Sequence, residues 1–154
     1  MSLEKTFYLL KAAEKRIGEL YSLIGLSVAV THPQLFDLFS ELAEEEKMHE
    51  KQIELMQNIF MQSNDAFAEN PEAEGLIAQF VENVDTVKKY FDQKHYELKP
   101  ADLIALALDL ERGLVEQHRT FFLKVIDPQI KKLFENLNLV DKAHIRKLED
   151  FHPA

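Results

Sequence analysis

The 154-residue chain reads as an all-α protein: four long helices in a bundle, with a long crossover between the second and the third. Three observations predict this. Only 4 glycines and 5 prolines occur among abundant Leu, Ala, Glu, Lys and Gln, which favours helix almost throughout. Apolar residues recur at the three- and four-residue spacing of a bundle seam along four separate stretches. Residues 33–54 also align without a gap on residues 128–149, with eight of 22 positions identical, as the halves of an internal repeat would. A chain of this length suits a single domain, residues 1–154, with one sizeable core.

The first helix is expected over residues 3–30, because in Thr31-His32-Pro33 the residue before proline is pushed out of the α region. Pro33 suits the first turn of a second helix reaching to residue 62. A third is expected over 100–125, and Asp127-Pro128 opens a fourth that ends near residue 151. Between residues 63 and 99, Ser63-Asn64-Asp65 and Asn70-Pro71-Glu72 carry turn chemistry. Leu76, Phe80, Val84, Val87 and Phe91 mark a short additional helix within the same stretch. A connection of that length between two short-looped hairpins joins helices that run in the same direction.

The seams carry the functional signal. The first helix reads Phe7, Leu10, Glu14, Ile17, Tyr21, Ile24, Val28, and the second Phe39, Leu42, Glu46, His49, Ile53, Met56, Phe60. The third reads Ile104, Ala107, Glu111, Leu114, His118, Phe121, Val125, and the fourth Phe134, Leu137, Asp141, His144, Leu148, Phe151. Each is apolar except at its middle, where acids and imidazoles stand. An unpaired carboxylate there costs several kcal/mol, so it must be neutralised, paired or bound to metal. No Lys or Arg occupies a seam position, whereas two divalent cations would balance the four acids Glu14, Glu46, Glu111 and Asp141. The internal repeat places Glu46-x-x-His49 on Asp141-x-x-His144, and an acid and an imidazole three apart share one helix face. Tyr21 follows Glu14 by seven residues, as His118 follows Glu111, so both hairpins bring their groups to one level.

The net charge of −9 argues against nucleic acid and against an anionic membrane surface. With no cysteine there is no disulfide, thiolate metal site or thiol redox chemistry. Mixed carboxylate and imidazole donors without thiolate suit iron or manganese, and zinc less well. The start of the chain lacks the pattern of a signal peptide, and the most apolar stretch, residues 17–30, is interrupted by Glu19. A cytoplasmic protein is expected. His32, His95 and His152 read as solvated, Glu44 and Glu45 as a solvated face, Glu19 and Glu116 as exposed or salt-bridged, and Tyr8, Phe36 and Phe122 as packing.

One Glu from each of two helices with an acid-x-x-His from each of two others resembles the ferritin-like superfamily of di-iron carboxylate proteins. Ala13-Glu14…Tyr21, Glu44-Glu45-Glu46-Lys47-Met48-His49 and Glu111 look most like its rubrerythrin and erythrin branch. The resemblance implies a ferritin-like bundle with Glu14 and Glu111 as terminal ligands, Glu46 and Asp141 as bridging, catalytic carboxylates, and His49 and His144 as one imidazole per iron. Tyr21 is read as a donor supporting a ligand carboxylate, and His118 as a supporting or core histidine, with an additional ligand as its other reading. Three departures stand out: Asp141 is one methylene shorter than the usual Glu, Leu114 replaces an additional glutamate, and a cysteine-rich rubredoxin module is absent.

The activity so implied is oxidation of Fe(II) by O2 or H2O2, as a ferroxidase or peroxide scavenger with two iron ions, manganese or zinc being the other candidate metals. An external electron donor would be needed for turnover as a peroxidase. A homodimer is expected, with Leu23, Leu26 and Phe122 available to its face. The other readings are a non-catalytic metal-binding or sensor bundle and a metal-free interaction bundle.

Overall fold

The structure is a computed structural model and describes residues 3–62, 71–122 and 125–152. Helices α1 (Leu3–Val28) and α2 (Pro33–Gln62) form one hairpin, and α4 (Pro100–Phe122) and α5 (Pro128–Glu149) a second. Between them runs α3 (Pro71–Lys94), followed by a 3-10 turn at His95–Glu97. No strand occurs among the described residues, so the all-α expectation holds.

The boundaries follow from local chemistry. The His32 amide donates to Val28 O at 2.7 Å, closing α1, and Leu35 N returns to His32 O at 3.0 Å as α2 begins behind Pro33. Asp127 caps α5, its Oδ1 accepting from Gln129 N at 2.8 Å and Ile130 N at 3.2 Å, with Pro128 at the first helical position. Helix α4, expected to reach residue 125, stops at Phe122, so Val125 lies outside it.

Buried apolar residues fall into two clusters that define the topology. One contains Phe7, Leu10, Ile53, Met56, Val125, Phe134 and Leu137; the other contains Ile17, Ile24, Phe39, Leu42, Ala107, Leu114 and Leu148. The start of α1, the end of α2, the segment after α4 and the start of α5 therefore meet at one end. Helices α1 and α5 run one way, and α2 and α4 the other. The acids and imidazoles of the four seams lie between the clusters.

The crossover departs from the expected short helix. Pro71–Lys94 spans 24 residues, about 36 Å of helix, because Pro71 begins it and Glu72 and Glu74 stand in its first turn. It packs along α1 and α4, burying Ile77, Phe80, Val81, Val84 and Phe91, whereas Leu76 is exposed. Gly113 on α4 makes room for it, since a Cβ there would lie 2.3 Å from Phe80 Cε2. The turn expected at Ser63-Asn64-Asp65 lies outside the described residues. Tyr8, read as packing, is exposed. No helix among the described residues is long and apolar enough to cross a membrane.

Candidate metal centre

The polar layer forms because the seams deliver it. Glu14, Glu46, Glu111, Asp141, His118 and His144 are all fully buried, and His49 is 3% exposed. The backbones of α1 and α2 come close at this level, where a Cβ on Gly18 would sit 3.3 Å from Glu46 Cβ.

Two groups of potential ligand atoms result, each with its atoms within 4.8 Å of one another: Glu14, Glu46 and His49, and Glu46, Glu111, Asp141 and His144. Glu46 belongs to both. Its Oε2 lies 3.3 Å from His49 Nδ1, while its Oε1 lies 3.2 Å from His144 Nδ1. His49 Nδ1 is also 3.6 Å from Glu14 Oε2 and 3.6 Å from Asp141 Oδ1, and His144 Nδ1 is 3.3 Å from Glu111 Oε2. The two rings stack with centroids 5.5 Å apart.

These separations are long for hydrogen bonds, yet they match neighbouring ligands on one ion. Two donors bonded at about 2.1 Å and about 100° apart stand roughly 3.2 Å from each other. Glu14 Oε2, Glu46 Oε1 and Asp141 Oδ1 are buried without a hydrogen-bond partner among the described residues. Orphaned oxygens facing imidazole nitrogens, without thiolate, fit a divalent cation. These buried groups could bind a metal ion.

Around this ring lies a second set of shorter contacts. Tyr21, fully buried, donates its hydroxyl to Glu111 Oε1 at 2.9 Å. His118 Nδ1 hydrogen-bonds Asp141 Oδ2 at 2.5 Å, and its Nε2 lies 2.7 Å from Glu14 Oε1. Tyr21 and His118 thus touch the candidate ligands.

No family model, curated protein or solved structure matches this chain.

Electrostatics in the metal-free protein show what the acids demand. Burial lowers the His49 imidazole, but contacts with Glu14 and Glu46 outweigh this and raise it to about 10. His144 is likewise lowered by burial and then raised to about 11 by Glu111 and Glu46. His118 is lifted well above the ordinary histidine range by Asp141 and Glu14 against the same opposing burial. Burial and the Glu46 charge push Glu111 up to about 7, and burial also raises Glu46 and Asp141. Burial raises Glu14 too, but its contact with Glu46 and the His118 charge prevail and bring it to about 2. Without metal, imidazolium protons take the place of cations.

At the polar layer the structure also corrects the reading of Glu45 and adds a feature that the sequence did not disclose. Glu45 does not belong to a solvated face: its Oε2 is buried against His144 Nε2, and its Oε1 accepts from Lys147 Nζ at 3.1 Å. It stands one residue off the α2 seam, so periodicity alone hides it. A surface cavity of about 610 Å³ opens beside α1 and α2, with Glu14 and Gly18 among the residues lining it and a mixed set of lysines and glutamates, Lys15, Lys47 and Lys51 with Glu19, Glu50 and Glu54, completing much of its wall. Most of the remaining polar residues stand as expected. Glu44 pairs with Lys47 and Glu116 with Arg119 at the surface, and His95 and His152 are exposed, whereas His32, read as solvated, is half-buried.

Proposed function

We propose that the chain is a ferritin-like, rubrerythrin-type di-iron oxidoreductase that oxidises Fe(II) with O2 or H2O2. The observation that supports this best is Glu46, whose two oxygens face different imidazoles and so belong to two adjacent ligand groups. The bundle topology agrees, with antiparallel hairpins joined by one long crossover. Glu14, Glu46 and His49 would hold one ion and Glu46, Glu111, Asp141 and His144 the other. Iron held there would supply one electron per ion to the oxidant. With H2O2, two electrons and two protons yield two water molecules.

The protein's own part is positioning and exclusion. Tyr21 holds Glu111 by its hydroxyl, and His118 holds the outer oxygen of Asp141, directing Oδ1 inward. The two apolar clusters close the layer from either end, while the α1–α2 cavity leads toward Glu14. An external reductant would restore Fe(II) for repeated turnover, and we propose a homodimer as the assembled form.

Anaerobic Fe(II) titration followed by rapid mixing with O2 or H2O2 tests the reading on wild type and on Glu46→Ala. Saturation near two ions per chain, with fast oxidation lost in the variant, is expected; the faster oxidant then defines the activity. The second reading, a non-catalytic metal-binding or sensor bundle, draws on His118, which already occupies an oxygen of both Glu14 and Asp141. It gains support from one bound ion, or from bound iron that resists oxidation.

A further inference from the structure

The second contact of His144 shows how the two halves of the site differ. Nδ1 of this imidazole faces Glu46 and Glu111, while Nε2 lies against Glu45 Oε2. Neither Nε2 nor Oε2 has a hydrogen-bond partner elsewhere among the described residues, and the two lie against each other. The other oxygen of Glu45 is held by Lys147 Nζ, which also reaches Glu41 Oε1 at 2.7 Å. His144 and Lys147 stand three apart on α5, so one helix face carries both the imidazole and the clamp on its carboxylate.

The internal repeat shows that this arrangement is one-sided. At the offset relating His49 to His144, the counterpart of Glu45 is Val140 and that of Lys147 is Gln52. No carboxylate lies against His49 Nε2 among the described residues. The ligand residues obey the repeat, whereas the carboxylate behind the imidazole exists in one half alone.

We infer that Glu45, anchored by Lys147, is a positioning residue that fixes His144 with its proton on Nε2 and its Nδ1 lone pair toward the metal. The two metal positions are therefore inequivalent, the His144 position being the one reinforced from outside. A carboxylate behind a ligating imidazole fixes its tautomer and ring orientation and raises its basicity. This inference rests on the proposed metal site, and it identifies which of the two ions depends on a residue that touches neither.

Co(II) is the probe, since it reports coordination without turnover. Wild type, Glu45→Ala, Glu45→Gln and Lys147→Met are titrated and followed by visible absorbance, and the exchangeable imidazole N–H signals of the Co(II) forms are recorded by NMR. The expected result for Glu45→Ala is one binding step weakened about 10- to 100-fold with the other unchanged, and loss of one imidazole N–H signal to solvent exchange. Glu45→Gln keeps an oxygen acceptor and should recover part of the affinity and the signal, while Lys147→Met should show a smaller loss in the same step. Unchanged steps with the signal retained overturn the inference, as does equal weakening of both. Wild type that binds no Co(II) overturns the metal site itself, a separate result.

Discussion

His118 has both ring nitrogens at carboxylate oxygens, so its removal tests how the buried charge is balanced. In His118→Leu the apolar volume is largely kept while Glu14 and Asp141 lose their counter-charge. Removing one partner of a buried pair costs about 3–5 kcal/mol, and metal-free protein should lose about that much in denaturant unfolding. With Zn(II) bound the loss should be smaller, because the ion then neutralises the same oxygens. Equal losses with and without metal would mean that His118 acts through packing alone. Tyr21→Phe is the milder case. It deprives Glu111 Oε1 of a buried donor, an effect of about 1–3 kcal/mol that the same unfolding curves would register. The contact of His118 with Asp141 also accounts for the shorter acid: an aspartate here keeps its outer oxygen on the imidazole and its inner one 3.6 Å from His49 Nδ1.

Among the helices, α3 is held by the fit of Phe80 over Gly113. A Cβ at Gly113 would fall 2.3 Å from the Phe80 ring, so Gly113→Ala must displace either the ring or the helix. Overpacking of this kind costs about 1–3 kcal/mol, and faster hydrogen exchange concentrated in α3 is the expected signature. This is also where the sequence was least legible. The four seams were readable because periodicity depends on one helix at a time, and Glu14, Glu46, His49, Glu111, Asp141 and His144 were found at their middles. The length of α3 was obscured because Asn70-Pro71-Glu72 resembles a turn, whereas Pro71 in fact begins a helix. Glu45 was missed for another reason: its partner is on α5, and a contact between helices leaves no trace in the spacing of either one.

Taken over the whole molecule, the buried layer links metal binding to protons. In the metal-free protein His49 and His144 are raised to about 10 and about 11 from an ordinary value near 6.5. Stability from these imidazoles is fully present below pH 6.5 and is lost as pH rises through about 10 to 11. Glu111, raised to about 7, contributes in the same direction between its ordinary value of 4.5 and pH 7. Glu14, lowered to about 2, works oppositely, and its contribution is lost as pH falls from 4.5 toward 2. Metal-free protein should therefore lose stability as pH rises from 6.5. A metal needs the Nδ1 lone pairs, so at pH 7 its binding must expel the imidazolium protons. Each proton displaced raises the apparent affinity about tenfold per pH unit. The thermal shift produced by Zn(II) relative to chelator should accordingly grow between pH 6 and pH 8, with proton release seen calorimetrically in buffers of different ionisation enthalpy. A shift independent of pH, without proton release, would mean that the imidazoles are already neutral and the acids already ionised before metal binds. A melting temperature that no metal or chelator changes would leave the layer as a hydrogen-bonded core.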